Sequence, residues 1–537
     1  GLSRQGAEPA QYLDWNQPLR SATSIALQLL SLEESSLPSA APMTSAEGGK
    51  LQTQAHIVAR SLAAGPPQAL RVVPIIGSKG SGHIDVALRM ADVTGRPLTA
   101  YSPGKGDDRN TLATLCWLTG RDLFLSEDIV STFLEVSGRS PGMLLPALNV
   151  PINLYLAVSQ RSQIPPLPGR HLLPLVTVPE FGYFDRLDTW RRVLASSSET
   201  LSPSLIETAR RFRFGRETIE RVGRRLNGLQ SIPTDQQLVS ACRSEVSLDI
   251  SDLAQEVSPR FENERLILPP KQAQQFNEVI RAMRSLTKVH YTWGTAKVWN
   301  EGGISVLFAG PPGTGKTMGA EILAIELDLP IYRIDLSQVV NKYIGETEKN
   351  LKRLFDAADV SDIILFFDEA DAIFGQRTEV KDAHDRYANL EISYLLDRME
   401  RFKGLAILAT NRKKDLDEAF MRRLRYIIDF PLPDEEERRL IWEQVIPVNV
   451  DASELDFDFL ARQFRLAGGH IRSIVFNACL QSADSSEDDD RHARLNMDHV
   501  IIAVKREYDK LKRAISLEQF GLYAATVEKL ERENGTN

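Results

Sequence analysis

One short segment near the middle of the chain has the residue types that bind a row of phosphates. It reads Gly310-Pro311-Pro312-Gly313-Thr314-Gly315-Lys316-Thr317, after the apolar run Ile304–Phe308 and before the helical pattern Met318–Leu327. Glycines allow backbone N–H groups to point at an anion, and the N-terminus of a following helix adds further unpaired N–H groups. A lysine at this spacing reaches the β- and γ-phosphates of a nucleotide, and the next hydroxyl binds Mg²⁺. The strand–loop–helix order therefore predicts a P-loop that holds ATP and Mg²⁺.

Two carboxylates end a second buried run, and their position suits the chemistry of hydrolysis. The run is Ile363–Phe367, and Asp368 and Glu369 follow it, downstream of Lys316. In this arrangement Asp368 holds Mg²⁺ through water, and Glu369 is the general base for the attacking water. A third apolar run ends at Asn411, whose amide can hydrogen-bond the lytic water or the γ-phosphate. An ordinary asparagine at the start of a loop is the alternative.

The composition of the chain argues against several classes of function. With 537 residues the chain is long enough for several domains, and its 42% hydrophobic and 25% charged residues are ordinary for a globular protein. The net charge of −8 lacks the basic footprint of a dedicated nucleic-acid binder. No apolar run reaches the roughly 18 residues of a membrane span, and three distant cysteines predict neither a disulfide framework nor a metal site. We therefore expect a cytoplasmic protein that binds neither membranes nor nucleic acid.

Two parts of the first half of the chain resemble parts of the second half in the same order. Ile75–His83 resembles Phe308–Lys316, and Ala209–Phe214 resembles Ala461–Leu466, each at one constant shift in residue number. Two separate matches in one order indicate a tandem duplication. The second shift is the larger of the two, so the second copy has extra residues between its matched segments.

The first copy of the phosphate-binding segment has lost the two side chains that do chemistry in the second. His83 stands where the lysine is expected and Ile84 where the hydroxyl residue is expected, so the partner of the phosphates and the Mg²⁺ ligand are both replaced. The region in which an acidic strand end is expected, Leu112–Leu125, offers only Asp122. We therefore expect that the first copy does not hydrolyse ATP and is a structural module, with weak nucleotide binding as the alternative.

These patterns predict an α/β protein with two tandem P-loop modules. A short helical segment, Leu19–Leu32, and a Ser/Pro/Ala/Gly-rich linker, Ser35–Lys50, precede the modules. A second linker joins them and contains a helical pattern at Ile250–Val257. The expected boundaries are 1–65 for the N-terminal segment and linker, 66–235 for the first module (core 66–195, lid 196–235), 236–275 for the second linker, 276–435 for the intact core, and 436–537 for its lid and C-terminal helices.

Residues 276–512 resemble an AAA+ module of the AAA subfamily, which implies a parallel-sheet αβα core and a small helical lid in each of the two modules. The resemblance rests on the P-loop, the two carboxylates and the segment Leu416–Leu424, which is similar to the second region of homology of that subfamily. It implies that Arg422 and Arg423 are arginine fingers, which reach into the ATP site of a neighbouring subunit and stabilise transition-state charge. Arg425 is the alternative finger, because the usual Arg-Phe-Asp ending is absent. Fingers that act in trans require an assembly, and the family implies a homo-hexamer.

The resemblance also implies loops that line a central pore. Lys342, Tyr343 and Ile344 are similar to the first pore loop of the subfamily, in which an aromatic side chain grips a threaded polypeptide. Packing within the module is the alternative role for Tyr343. Residues 374–388 are similar to the second pore loop and its flank, and we expect a pore-lining or structural role for His384 within them.

The start of the second lid lies at the position called sensor 2 in this subfamily. It reads Gly468-Gly469-His470-Ile471-Arg472. A glycine there implies that the backbone at Gly469 approaches the adenine side of the nucleotide. Contact of Arg472 with a phosphate is the alternative, and the sequence leaves both open.

A damaged first module followed by an intact second one resembles a narrower group. It is similar to the tandem AAA+ ATPases encoded with phage-tail-like contractile injection systems, weakly from about residue 66 and strongly after residue 276. This resemblance implies an ATP-hydrolysing ring that acts on proteins of a contractile injection particle in assembly, maturation or disassembly. A scaffold that ATP only switches between oligomeric states is the second hypothesis. A nucleic-acid motor, which the acidic charge disfavours, is the third.

Overall fold

The structure of the protein is a computed structural model that divides into two compact units, Gly1–Glu245 and Val246–Asn537, each described here by itself. The residues that the structure describes are 2–3, 20–21, 46–77, 81–101, 109–137, 145–146, 148–178, 181–194, 203–228, 233–246, 250, 252–261, 266–299, 301–336, 346–371, 383–416, 418–485 and 493–535. Within these ranges no helix is long and apolar enough to cross a membrane.

The first unit contains a parallel sheet between two layers of helices. Its elements are β1 (Leu2–Ser3), β2 (Arg20–Ser21), α1 (Ala46–Ala63), β3 (Arg71–Ile76), α2 (His83–Thr94), β4 (Leu98–Ala100), α3 (Arg109–Leu118), β5 (Asp122–Leu125), α4 (Glu127–Ser137), β6 (Asn153–Val158), β7 (Val176–Thr177), α5 (Tyr183–Val193), α6 (Pro203–Arg211), α7 (Arg216–Asn227) and α8 (Asp235–Arg243). The sheet has the order β4-β5-β6-β3-β7, and all its neighbouring strands are parallel. Helices α1 and α2 pack on one face, and α3 and α4 pack on the other.

The second unit has the same three layers and a larger group of C-terminal helices. Its elements are β8 (Gln255–Val257), α9 (Pro270–Thr287), β9 (Ile304–Ala309), α10 (Lys316–Leu327), β10 (Ile331–Asp335), α11 (Glu346–Ala358), β11 (Ile364–Asp368), α12 (Ala383–Arg401), β12 (Leu405–Thr410), α13 (Glu418–Met421), β13 (Tyr426–Asp429), α14 (Glu435–Val445), β14 (Val450–Asp451), α15 (Phe457–Gln463), α16 (Gly468–Ser485), β15 (Ala493–Arg494), α17 (Met497–Lys510) and α18 (Ala524–Gly535). The sheet order is β13-β9-β12-β11-β10-β8, in which only the edge strand β8 is antiparallel to its neighbour. A separate core around the fully buried Trp442 holds the C-terminal helices together.

Corresponding strand pairs in the two sheets have the same register. Arg71 pairs with Asn153 in the first unit, and Ile304 pairs with Leu405 in the second. The shift in numbering from Arg71 to Ile304 is that of the two glycine-rich segments, and the shift from Asn153 to Leu405 is that of the later pair of matched segments. Because register decides which side chains share a face and an edge of a sheet, equivalent positions can be read from one unit to the other.

The strand bounds also show where the second unit is longer. The connection from β10 to β11 covers 336–363, whereas its counterpart from β4 to β5 covers only 101–121. The connection from β11 to β12 covers 369–404, whereas its counterpart from β5 to β6 covers 126–152. The extra length of the second copy that the sequence matches indicated therefore lies in these two connections.

Two predictions of local structure are wrong, one of them in part. A linker was predicted over Ser35–Lys50, but its last five residues, 46–50, begin α1, whose apolar residues at helical spacing (Ala55, Val58, Ala59 and Leu62) are buried on the sheet. The remainder of the predicted linker lies outside the described residues. A helical pattern was predicted at Ile250–Val257, but its last three residues form β8 and pair with the edge of β10. Of the helical segment predicted at Leu19–Leu32, Arg20–Ser21 forms a strand, and the remainder lies outside the described residues.

Candidate active site

A cleft of about 450 Å³ in the second unit brings most of the predicted site residues together. It lies where the carboxyl ends of β9, β11 and β12 meet, because parallel strands end at one edge of a sheet. The predicted residues that line it are Pro312, Gly313, Thr314, Gly315, Lys316, Thr317, Asp368, Glu369, Asn411 and Gly469.

The glycines of the loop between β9 and α10 have conformations that other residues rarely adopt. Gly313 has φ +77° and Gly315 has φ +98°, both in the left-handed region. A Cβ atom on Gly310 would lie 2.0 Å from the carbonyl oxygen of Phe430. The loop therefore needs glycine at these places to curl around the N-terminus of α10, where backbone N–H groups and the helix dipole favour an anion. This cradle fits a row of phosphates.

Lys316 is the first residue of α10, and its ammonium group is held inside the loop. Nζ donates hydrogen bonds to the carbonyl oxygens of Gly310 (2.8 Å) and Pro311 (3.0 Å) and to Oδ1 of Asn411 (2.9 Å). Burial lowers the pKa of the ammonium group, and the carboxylates of Asp368 and Asp371 oppose that shift. A buried cation beside carboxylates is suited to binding an anionic ligand.

Asp368 and Glu369 form the acidic end of β11. Oδ2 of Asp368 lies 2.8 Å from Nη2 of Arg333 on the neighbouring strand β10, and Oδ1 accepts a hydrogen bond from the backbone N–H of Glu369 (3.0 Å). Glu369 has φ +51°, a left-handed conformation that is costly for a residue with a side chain. Sequence reasoning missed Arg333, which also lines the cleft; its only local signal is a charged residue inside an apolar strand.

Asp371 holds Asn411 in place, and sequence reasoning missed it as well. Its carboxylate accepts hydrogen bonds from the hydroxyl of Thr410, from the backbone N–H of Asn411 (3.1 Å) and from Nδ2 of Asn411 (2.9 Å). The amide oxygen of Asn411 is thereby turned toward Lys316. The signal was present in the run Asp368-Glu369-Ala370-Asp371, which has a third carboxylate shortly after Glu369.

The first turn of α16 closes the cleft from the lid. The backbone N–H of Gly469 donates a hydrogen bond to the carbonyl oxygen of Gly313 (2.8 Å), and a Cβ on Gly469 would lie 3.1 Å from the Cα of Gly313. Glycine therefore allows the lid to touch the loop. The guanidinium group of Arg472 lies 4.9 Å from the centre of the Phe261 ring at the border of the cleft.

One wall of the cleft is formed mainly by apolar side chains, with Glu437 and Gln444 among them. Leu266, Ile267 and Leu268 line it from the segment before α9, and Ile441 and Val445 line it from α14. An apolar slot next to an anion cradle fits a flat base attached to a chain of phosphates.

The predicted arginine fingers lie on the surface, away from this cleft. Arg422 and Arg423 are exposed, and Nη2 of Arg422 forms an ion pair with Glu418 at 2.9 Å. Neither lines the cleft in the described part of their own chain. The backbone N–H of Arg425 is bonded to Ser305, and its side chain is exposed. The predicted pore-loop residues Lys342, Tyr343 and Ile344 lie outside the described residues, as do residues 374–382, while His384 lies at the start of α12.

The site also suits Mg²⁺ that is bound together with phosphates. In the described residues no group of three or more His, Cys, Asp or Glu side chains could hold a metal ion. Mg²⁺ in phosphate-binding sites usually has one or two protein ligands and takes the others from phosphate oxygens and water. The hydroxyl of Thr317 and the carboxylate of Asp368 line the same cleft and match that donor set.

In the first unit, the positions that correspond to Lys316 and to the acidic strand end of the second unit have other surroundings. His83 begins α2, is almost fully buried, and has a pKa lowered by burial. Asp122, the acidic candidate predicted from the sequence, lies at the start of β5 and thus at the opposite end of the strand from Glu127, which follows the carboxyl end. Its carboxylate accepts hydrogen bonds from Nδ2 of Asn153 (2.7 Å) and Nε of Arg96 (2.8 Å). Asp122 is therefore part of a buried polar network and is not placed to bind a nucleotide.

Comparison with known proteins agrees with the chemistry of the second unit. The family model for AAA, the ATPase family associated with various cellular activities, matches residues 306–432. A 26S proteasome regulatory subunit 6B homolog of Dictyostelium discoideum is 39% identical over 182 residues, which are 32% of this chain and 45% of the relative. The ATPase family gene 2 protein of Schizosaccharomyces pombe is 37% identical over 185 residues, 33% of this chain and 23% of the relative.

A third relative extends the comparison to an archaeon. Cell division protein C of Sulfolobus acidocaldarius is 36% identical over 161 residues, 28% of this chain and 43% of the relative. The chain thus spans less than half the length of each of these relatives. Residues 306–432, which include the P-loop, both carboxylates and Asn411, are an ATPase domain of the AAA family.

Proposed function

We propose that this chain is a ring-forming AAA+ ATPase with two tandem modules, of which only the second hydrolyses ATP, and that it uses this energy to remodel proteins. The observation that carries the proposal is the convergence of Lys316, Asp368, Glu369 and Asn411 on one cleft that the lid touches through Gly469. The shared strand registers of the two units support the tandem arrangement. The domain boundaries expected from the sequence, 66–235 and 276–537 for the two modules, belong to this proposal.

Binding is the task of the loop and the lid. Backbone N–H groups of Gly313 and Gly315 would face the phosphates, and Nζ of Lys316 would exchange its carbonyl acceptors for phosphate oxygens. Thr317 and Asp368 would hold Mg²⁺, which neutralises charge that develops on the phosphate oxygens when it is bound.

Hydrolysis requires a water molecule that is both activated and oriented. The carboxylate of Glu369 would accept the proton of that water as general base. Asn411, fixed by Asp371, would orient the water or the terminal phosphate. Arg422 and Arg423 of a neighbouring subunit would stabilise the charge of the transition state, which makes a homo-hexameric ring the natural active form.

The proposed substrate is a protein. The sequence of the first pore loop, with Tyr343 at its centre, supports a threading mechanism, and the pairing of a damaged and an intact module supports a role on a contractile injection particle in the cytoplasm. A second candidate is an ATP-switched assembly scaffold without threading activity. It is favoured by the first unit, in which the nucleotide-binding positions are replaced.

The test of the ATPase proposal compares two glutamates at equivalent places. The strand registers put Glu127 of the first unit where Glu369 stands in the second. Glu369→Gln should lower steady-state phosphate release by about 10²- to 10⁴-fold while ATP still binds, and Glu127→Gln should leave the rate unchanged. Equal losses in the two variants would contradict a single working site.

The substrate proposal needs a separate experiment. Tyr343→Ala should abolish remodelling of candidate particle proteins and spare the basal ATPase rate. In the scaffold alternative, the Glu369→Gln variant would bind ATP without hydrolysing it and would form a ring that still supports particle assembly. Electron microscopy of that variant with ATP and the particle proteins distinguishes the two, because threading predicts a stalled polypeptide in the pore.

A further inference from the structure

At the positions that would handle nucleotide in the second unit, the first unit has other residues except at Glu127, which is a glutamate like Glu369. Each position of the first unit is assigned its equivalent in the second unit from the strand registers and from the two shifts in numbering between the matched segments. His83 and Ile84 correspond to Lys316 and Thr317, Ser126 and Glu127 to Asp368 and Glu369, Ser159 to Asn411, and Arg216 and Glu217 to Gly468 and Gly469. The last replacement adds two charged side chains where the second unit has none.

An aspartate lies at the helix N-terminus of the first unit. Asp85 is in the first turn of α2, and its Oδ2 lies 3.1 Å from the place that a Cβ on Gly82 would occupy. Gly82 precedes the helix with φ +92°, as Gly315 precedes α10 with φ +98°. A carboxylate at such a helix end is stabilised by the same N–H groups and dipole that favour a phosphate. The corresponding residue of the second unit is Met318, which has no charge.

An arginine of the lid reaches that aspartate. Arg216 is the first residue of α7, and its Nη1 lies 3.2 Å from Oδ2 of Asp85, with only 11% and 18% of the two side chains exposed. The guanidinium group also lies 5.9 Å from the centre of the Phe181 ring.

Burial raises the pKa of Asp85, and the positive charges of Arg216, Arg89 and Arg192 oppose that shift. Glu217 faces the same group of charges from the lid.

The two lids therefore touch their P-loop regions by different means. In the second unit the contact is one backbone hydrogen bond, from Gly469 to Gly313, and a cleft of about 450 Å³ lies beside it. Among the described residues of the first unit, the contact is an ion pair between two largely buried side chains. Removal of one partner from such a pair leaves a buried charge without compensation, so the pair resists separation.

We propose that the Asp85–Arg216 ion pair clamps the lid of the first unit on its core at the place where the second unit receives nucleotide phosphates. The carboxylate of Asp85 lies where a phosphate would bind in the second unit, and Arg216 is the lid residue that contacts this negative charge. The position of this lid consequently does not depend on ATP, and the first unit is a permanently closed module.

Hydrogen exchange of the full-length chain tests the clamp, with α7 (Arg216–Asn227) as the reporter. Asp85→Asn and Arg216→Met should each speed amide exchange in α7 by at least about tenfold, because each removes the ion pair between α7 and α2 and leaves a largely buried charge without its partner on the other helix. The double variant should exchange no faster than the worse single variant, since the two residues act as one pair. Arg221→Met is the control, because Arg221 lies on the same helix in an exposed ion pair with Glu245, and it should leave the exchange of the first two turns of α7 unchanged.

Exchange in β6 (Asn153–Val158) separates release of the lid from unfolding. Unchanged protection of β6 in the single variants supports a clamp that holds the lid alone. Loss of protection in β6 together with α7 would overturn it, because the pair would then hold the whole unit. The clamp would also be overturned if α7 exchanged no faster in Asp85→Asn and Arg216→Met than in the Arg221→Met control.

A nucleotide arm completes the experiment. A non-hydrolysable ATP analogue with Mg²⁺ should slow exchange in α16 (Gly468–Ser485) and leave α7 unchanged, and in Lys316→Ala it should slow neither. Slower exchange in α7 in the Lys316→Ala variant would overturn the clamp, because the first unit would then bind nucleotide. A failure to protect α16, with α7 responding to the charge variants as expected, would count against the proposed ATPase site and leave the clamp standing.

Discussion

In both units five parallel strands pair in the same order and register, yet the carboxyl ends of those strands lead to different features. In the second unit they border an open cleft lined by Lys316, Asp368 and Asn411. In the first unit the equivalent edge is crossed by the ion pair between Asp85 and Arg216. Strand pairing and core packing can thus persist when most of the functional side chains at the sheet edge are exchanged, because the buried strand interiors and the loops that follow them are separate parts of the sequence.

Helix α5 lies within the expected core, 66–195, but packs on α6 and α7, so the lid of the first unit begins with α5 as that of the second begins with α14. The residues that fold the two lids are conserved between the units. Nε of Arg186 on α5 donates to the carbonyl oxygen of Ala209 at 2.9 Å, and Nε of Arg438 on α14 donates to that of Ala461 at 2.8 Å. Ala209 and Ala461 begin the matched segments of the repeat, and the two arginines are related by the same shift in numbering. The fully buried Trp190 and Trp442 keep this shift too. Residues that fold the lid are therefore alike in the two units, while those that would face a nucleotide are not.

The lengths of two connections also differ, and both differences fall on predicted pore loops. The longer connection between β10 and β11 contains Tyr343. The longer connection between β11 and β12 contains residues 374–388. The first unit, with the shorter connections, would therefore contribute less to a threading pore.

The largest expected difference between the units concerns the arginines before the last parallel strand. Replacement of Arg422 and Arg423 by alanine should lower kcat for ATP by about 10³- to 10⁵-fold, because a finger neutralises transition-state charge. Arg170, which stands at the position of Arg422 in the first unit, should tolerate alanine with no change in rate. The measurement is phosphate release at saturating ATP.

Mixing experiments decide whether Arg422 and Arg423 act as fingers between subunits. Chains with Arg422→Ala and Arg423→Ala have an intact ATP site, and Lys316→Ala chains have intact fingers. A mixture of the two should regain part of the activity that each lacks. No recovery in mixtures that form common rings would contradict fingers in trans.

A smaller effect is expected from the residues that hold the Asn411 position. Asp371→Ala should lower kcat by about 10²-fold, because Asn411 would lose the carboxylate that aims it. In the first unit, Ser159 takes that position, and its backbone N–H donates to Oε1 of Gln163 at 2.8 Å. Gln163→Ala should therefore leave the rate unchanged. An Asp371→Ala enzyme with a normal kcat and only a raised KM would assign Asp371 to binding instead.

The elements and site residues that could be predicted from the sequence are those marked by a pattern of neighbouring residues. A glycine pattern between an apolar run and a helix predicted the strand β9 and the loop, and the structure forms the strand from Ile304 to Ala309. The carboxylate of Asp371 was visible in the sequence, but its contact with Asn411, like that of Arg333 with Asp368, joins neighbouring strands and was not predictable from a local pattern. The same is true of Asp85 and Arg216, which lie far apart in the sequence and carry no common pattern. At Ile250–Val257 the helical spacing of apolar residues gave way to pairing with a free strand edge.

The smallest expected effect concerns the two buried arginines of the lids, Arg186 and Arg438. Their replacement should lower the stability of the two units by similar amounts, each variant affecting only its own unit. Arg438→Met leaves the carbonyl oxygens of Ala461 and Pro433 without their donor, and Arg186→Met does the same for Ala209 and Phe181. Each change should lower the free energy of unfolding of its own unit by about 2 kcal/mol, since a buried acceptor without a partner is costly. Hydrogen exchange in α14–α15 and in α5–α6 measures the two effects in one experiment. Only Arg438→Met should also raise KM for ATP, because α14 lines the cleft, whereas a raised KM in Arg186→Met would mean that the two lids are coupled.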